Sequence, residues 1–277
     1  MSLAVLTDID GTLTPARRAL QSEMAEALKR FKVEFHVAAG SDLKLVEPQF
    51  LRPLWDFGFR RDFDAFVSNG ATHLHCAFSR GFLIENVHDF HFSSHLGEAN
   101  YQRLLDSIGG ILSDPEFALP STVAVIGEQI VDRDSMLNFA PIGRPKGELS
   151  EDAFANRKRF VEFDRSTEYR KRIRDRMVRE LSSVISEKGL RIMFGGETSF
   201  DIVIEGNDKT KPVRALLDRG IREVVFLGDA LFPGGNDSVI SDFVTNWKGS
   251  GPCPLRPIQV ADWKDTIRVM EREGWLS

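Results

Sequence analysis

Cysteine is scarce. The 277 residues hold two, Cys76 and Cys253, far apart and in unrelated contexts. That excludes a disulfide framework and a zinc-finger pattern, and makes a reducing cytoplasm the expected home. No apolar run approaches the roughly 18 residues that a membrane-spanning helix needs. The opening Met1-Ser2-Leu3-Ala4-Val5-Leu6 reaches Asp8 without a basic segment or a cleavage site, so a signal peptide is not expected. Nor is there an excess of positive charge: 36 basic against 41 acidic residues give a net charge of -5. Global attraction to nucleic acid or an anionic membrane is therefore not expected. An anionic substrate would need a local cluster of cations. Internal repeats and low-complexity linkers are also missing.

What is there is an ordinary soluble composition, 42% apolar and 28% charged. The length suggests about two domains. Leu3 to Thr7 reads as a buried strand ending on carboxylates, and Ser22 to Phe31 as a helix with Ser22 near its cap. Val33 to Ala38 is a second strand, so the chain opens as a βαβ unit of an α/β fold. Ala65 to Ser68 is a candidate third strand, and Thr72 to Val87 has a hairpin pattern around Ser79-Arg80-Gly81. The character then changes. Ser93 to Leu112 is one amphipathic stretch; Thr122 to Val131 and Met136 to Phe139 read as antiparallel strands. Ser150 to Phe163 and Thr167 to Lys188 read as helices. Leu190 to Phe194 and Ser199 to Ile204 read as strands split by Gly195-Gly196. This middle region is expected to be an inserted α+β domain. The α/β rhythm resumes with a helix from Lys211 to Arg219 and a strand from Glu223 to Leu227. The Gly249 to Pro252 patch reads as a loop, and Asp262 to Glu273 as the last helix.

The chemistry gathers at the strand ends. Asp8-Ile9-Asp10-Gly11-Thr12 puts two acids two apart beyond a buried strand, the edge where open α/β sheets bind ligands. An Asp there can act as nucleophile through an aspartyl phosphate. Asp10 is placed to give and take a proton, and Gly11 permits the sharp turn. Paired acids repel, and Mg²⁺ suits their oxygens. Asp229 ends another strand, with Gly234-Gly235-Asn236-Asp237 close behind. An Asp-x-Asp alone is a common pair of turn residues; the strand before it and the distal Gly-Asp give it meaning.

Asp8-Ile9-Asp10-Gly11-Thr12 resembles the signature of the haloacid dehalogenase (HAD) superfamily of phosphatases and phosphotransferases. The resemblance implies Asp8 as nucleophile and Asp10 as acid/base. It also implies Ser41, in Gly40-Ser41-Asp42, and Lys209, in Asp208-Lys209-Thr210, as the residues that bind and steady the transferring phosphoryl group. Asp8, Asp10, Asp229, Asn236 and Asp237 would be the Mg²⁺ set. Further blocks look like the eukaryotic-type phosphomannomutases: Thr12 to Arg17, Ser94-His95-Leu96-Gly97-Glu98, Met136-Leu137-Asn138, Pro141-Ile142-Gly143-Arg144, Ser199-Phe200-Asp201 and Phe232 to Asp237. In that family the inserted domain is a mobile cap carrying the sugar-phosphate site. Matching positions imply Arg17, Arg133, Arg144 and Arg157 on the phosphate, with Asn138, Ser199 and Asp201 near the sugar. Two departures stand out. Asp132-Arg133-Asp134-Ser135 occupies a segment usually Phe-Arg-Asn-Gly, and Ala230-Leu231 replaces Lys-Thr.

The expected architecture is a Rossmann-like HAD core from 1–87 and 205–277 with an α+β cap at 88–204. The expected activity interconverts hexose 6-phosphate and hexose 1-phosphate, mannose first and glucose second, with Mg²⁺ and a hexose 1,6-bisphosphate activator. The alternatives are a sugar-phosphate phosphatase and a silent sugar-phosphate-binding protein. The family implies a homodimer through the cap. Three smaller signals have bland readings beside functional ones. His73, His75, His88, His91 and His95 could hold a metal, but their spacing equally fits hairpin strands, and His95 is expected to support the cap. The stretch Arg157 to Glu180, with ten basic and five acidic residues, reads as a solvated face of ion pairs. Ser41 could be a helix N-cap before Asp42 as well as an anion ligand.

Overall fold

The computed structural model describes residues 2–145, 150–232 and 235–277. The chain divides into two compact units, Met1–Asp89 with Gly206–Ser277, and Phe90–Glu205.

The first unit is built on seven strands: β1 (Leu3–Thr7), β2 (Glu34–Ala38), β3 (Phe63–Val67), β4 (Thr72–Cys76), β5 (Ile84–His88), and, after the second unit's strands, β10 (Glu223–Gly228) and β11 (Leu255–Gln259). Their order is β11-β10-β1-β2-β3-β4-β5. The pairs from β11 to β3 are parallel, and the β4–β5 hairpin is added antiparallel. Along β1 the side chains alternate between two buried layers. Val5 packs with Met24, Leu28 and Phe31, whereas Ala4 and Leu6 pack with Val213, Leu216 and Ile240. A strand covered on both faces must be apolar throughout, which is why Leu3 to Leu6 shows no alternation in sequence.

From β1 the sheet grows one way through β2 and β3, and the chain later returns to add β10 and β11 on the other side. The carboxyl ends of β1 and β10 therefore meet where the strand order reverses, the place where such sheets bind ligands. Asp8 N–H bonds the Leu227 carbonyl at 2.8 Å, aligning Asp8 with the end of β10.

The second unit has β6 (Glu128–Asp132), β7 (Leu137–Arg144), β8 (Leu190–Gly195) and β9 (Ser199–Ile204), in the antiparallel order β6-β7-β9-β8. Leu137, Phe139, Phe200 and Ile202 face a core shared with Leu104, Ile108, Phe160, Ile173 and Met177 of the helices. Asn138 and Asp201, cross-strand partners in register, belong to the other face.

Several sequence expectations need correction. Ser93 to Leu112 is two helices, Phe92–Leu96 and Glu98–Ser113, broken at Gly97 with φ of 78°. The expected strand from Thr122 is ordered as strand only over Glu128–Asp132. Helices Glu151–Thr167 and Tyr169–Glu180 are separated by Glu168 in the left-handed region.

The histidines do not share one site. Asp64, 4% exposed, accepts from His75 Nδ1 at 3.0 Å, lies 3.5 Å from His73 and His36 ring nitrogens, and pairs with Arg219. Burial alone would raise the Asp64 carboxyl; His73 and His75, with His36 and Arg219, hold it well below the usual carboxylate range. His95 Nε2 sits 3.0 Å from the Lys188 carbonyl in the second unit. In the basic helices Arg170 pairs with Asp164, Lys171 with Glu168, and Arg176 with Asp114 and Glu180, the ion-paired face that their charge pattern predicts. No helix among the described residues is long and apolar enough to cross a membrane.

Candidate active site

Three carboxylates meet at the strand ends of the first unit. Ligand oxygens of Asp8, Asp229 and Asp237 all lie within 4.8 Å of one another. Lys209, 1% exposed at the start of helix Thr210–Asp218, reaches Asp8 Oδ1 at 2.7 Å and Asp237 Oδ1 at 2.5 Å. Burial pushes the Asp8 carboxyl up to about 6; Lys209 opposes this and Asp237 adds to it. Burial would lower Lys209, but the two carboxylates outweigh it and hold the ammonium above its ordinary value. Asp229 is raised, first by burial and then by Asp237.

One cation cannot satisfy this many acids. Asp8 Oδ2 and Asp237 Oδ2 are buried without a hydrogen-bond partner. Two orphaned carboxylate oxygens are costly, and an all-oxygen donor set fits Mg²⁺. Asp8, Asp229 and Asp237 therefore suit a divalent cation. Two glycines make room for them. A Cβ on Gly11 (φ 83°) would stand 2.4 Å from Asp229 Oδ2, and one on Gly228 would stand 2.4 Å from Asp237 Oδ2.

The Asp10 carboxylate is not one of the three. Asp10 and Asn236 line a cavity of about 180 Å³ together with Asp8, Ser41 and Gln49. Ser41 is not the helix cap; Asp42 is, accepting from Leu45 N–H at 3.1 Å. Of the Phe232 to Asp237 block, Pro233 and Gly234 lie outside the described residues. Arg17 belongs to this first unit, with φ of 56°, and its backbone N–H bonds Asp10 Oδ1. It is thus not grouped with the other three arginines named from sequence. Gln49, which donates to Asp10 and Thr14, was not legible in the sequence.

The second unit gathers Arg133, Arg144 and Arg157. Burial lowers the Arg144 guanidinium from its ordinary value, Arg133 lowers it further, Asp201 opposes and Arg157 adds. Arg144 Nη2 is 3.4 Å from Ser199 Oγ, and Arg157 pairs with Glu197 at 3.1 Å. Asn138 is fully buried and donates to Asp201 Oδ1 at 2.7 Å and to the Phe200 carbonyl at 3.0 Å, so it fixes Asp201. The acid at position 132 does not point at Arg133. Asp132 accepts from Tyr101 O–H at 2.7 Å and from Asp134 N–H at 2.8 Å, shaping the turn that carries Arg133. Gly195 is the floor of the group: a Cβ there would meet Asp201 Oδ1 and Ser199 Oγ, each at 2.8 Å. Gly195→Ala should displace both side chains and raise KM for sugar phosphates about tenfold or more, with a change of only a few degrees in Tm; matched kinetics and thermal melts check this.

Residues 22–246 match the eukaryotic phosphomannomutase family, more than half of the chain. The chain belongs to that family. A phosphomannomutase of Schizosaccharomyces pombe is 33% identical over 236 residues, covering 84% of this chain and 82% of that protein. Human phosphomannomutase 1 is 34% identical over 239 residues, covering 84% and 80%. Among solved structures, a Plasmodium falciparum IMP-nucleotidase aligns with a TM-score of 0.56 at 11% identity, over 97% of this chain and 67% of that one. An Aspergillus fumigatus trehalose-6-phosphate phosphatase aligns with a TM-score of 0.54 at 12% identity, over 98% and 92%. At such identities these show a shared fold alone, and the family membership rests on the sequence matches.

Proposed function

We propose that this protein is a phosphomannomutase, interconverting hexose 6-phosphate and hexose 1-phosphate through a phosphoryl group carried on Asp8, with mannose preferred over glucose. The observation that carries the reading is the arginine group. A phosphatase needs one phosphate site, whereas a mutase must also hold the phosphate that is not reacting. Arg133 and Arg157 are near enough to lower the Arg144 guanidinium from its ordinary value, and guanidinium groups suit phosphate oxygens.

An Asp8 carboxylate oxygen attacks phosphorus, the bond from phosphorus to the sugar oxygen breaks, and Asp10 gives that oxygen its proton. In the return step a hydroxyl oxygen of the monophosphate attacks that phosphorus, the bond from phosphorus to the Asp8 oxygen breaks and restores the carboxylate, and Asp10 takes the hydroxyl proton. Ser41 holds a phosphoryl oxygen and Lys209 fixes the Asp8 carboxylate. A divalent cation on Asp8, Asp229 and Asp237, expected to be Mg²⁺, would offset charge on the transferring group. A hexose 1,6-bisphosphate would keep Asp8 phosphorylated, and a homodimer through the second unit belongs to the same reading.

A coupled assay tests it. Mannose 1-phosphate should become mannose 6-phosphate faster than free phosphate appears, and catalytic hexose 1,6-bisphosphate should stimulate this. Stoichiometric phosphate release with no isomerised sugar, unaffected by bisphosphate, would make the protein a phosphatase.

A further inference from the structure

The helical run after Asp42 is not regular. It begins as an α-helix at Leu43–Val46, widens into a π-turn at Glu47–Leu51, and resumes as α-helix at Arg52–Asp56. Pro48 supplies a cause: it has no N–H for the carbonyl four residues back, and its ring crowds that carbonyl. Wide turns of this kind recur at functional sites. This one presents Gln49. Its Nε2 donates to Asp10 Oδ1 at 2.9 Å and to Thr14 Oγ1 at 2.9 Å, using both amide hydrogens. Thr14 Oγ1 in turn lies 3.2 Å from the Ile9 carbonyl, to which it donates. The backbone carbonyl of Gln49 accepts from Leu20 N–H at 2.9 Å. A single residue thereby ties the Asp10 side chain, Thr14 and the end of the 10–20 segment together.

We infer that Gln49 is a positioning residue that selects which oxygen of Asp10 faces the ligand. Oδ1 is taken by the Gln49 amide and by the Arg17 backbone N–H, so Oδ2 is the oxygen that exchanges a proton with the leaving or attacking sugar oxygen. Two donors on one oxygen fix the carboxylate rotamer before the ligand arrives, and a general acid must be within hydrogen-bond reach of the atom it serves. Without Gln49 the carboxylate keeps only the Arg17 contact and can rotate about its Cβ–Cγ bond. This rests on the assignment of Asp8 as nucleophile and Asp10 as acid/base, but not on the choice between mutase and phosphatase, because the leaving oxygen is protonated in both.

The test is the dependence of kcat/KM on leaving-group basicity, measured on a series of aryl phosphates and on mannose 1-phosphate. Sugar oxygens need the acid, whereas p-nitrophenolate leaves without much help. For Gln49→Ala the loss should grow along the series. It should be smallest for p-nitrophenyl phosphate and reach about 10- to 100-fold for the sugar, part of what general acid catalysis supplies. Gln49→Glu, which keeps the length but removes the donors, should show the same tilt. A loss of equal size on every ester, or no loss at all, would overturn the inference. Failure of the mutase reading would appear elsewhere, as phosphate release by the wild-type protein in the coupled assay.

Discussion

Asp8→Asn should abolish the covalent pathway. An amide is not a nucleophile, and removing a catalytic nucleophile costs about 10⁴- to 10⁶-fold in turnover in well-studied enzymes. The fold should survive. Lys209 keeps Asp237 at 2.5 Å, and the substitution removes one of the acids that crowd the site. Thermal melting should therefore move by a few degrees at most while steady-state turnover of mannose 1-phosphate disappears. A variant that turned over near the wild-type rate would remove Asp8 from the mechanism.

Arg144→Ala should act on a different term. The side chain lies in the second unit beside Ser199 Oγ, with Arg133 and Arg157 as its charged neighbours. Losing a charge-assisted contact to phosphate costs about 2–3 kcal/mol, roughly a 30- to 150-fold fall in kcat/KM. The loss should fall on hexose phosphates and spare p-nitrophenyl phosphate, which has no second phosphate or sugar to grip. Steady-state kinetics on both substrates check this. Equal losses would mean that Arg144 acts on the chemistry or on folding.

Much of the first unit was legible because its signals are local. A strand buried on both faces is apolar throughout, and Asp8 and Asp229 each follow one directly. Their meeting was readable too, since β1 and β10 end on the same sheet edge. What escaped the sequence depends on tertiary context. β11 was hidden because Pro257 breaks its pattern, yet a proline is tolerated on an edge strand. β7 runs to Arg144, well past Phe139, because its outer half needs only β6 as neighbour. Gln49 carries no motif of its own; it matters because a π-turn at Pro48 aims it at Asp10.

The second unit shows the same division. Asn138, Ser199 and Asp201 were identified by resemblance, but their roles differ in a way that only contacts show. Asn138 is wholly buried and holds Asp201. Of the acids flanking Arg133, Asp132 is engaged by Tyr101 and by the turn itself, so it shapes the arginine's setting.

The most direct test of the central claim follows the phosphoryl group on Asp8 itself. The protein is phosphorylated with isotopically labelled hexose 1,6-bisphosphate in the presence of Mg²⁺, quenched, and mapped by mass spectrometry. The label should sit on Asp8 and be absent from Asp8→Asn. The labelled protein is then chased with mannose 1-phosphate. The account predicts that the label moves to the sugar, giving the bisphosphate and then mannose 6-phosphate, faster than it moves to water. Label on another residue, or label passing from Asp8 to free phosphate at the same rate with and without the sugar, would contradict it.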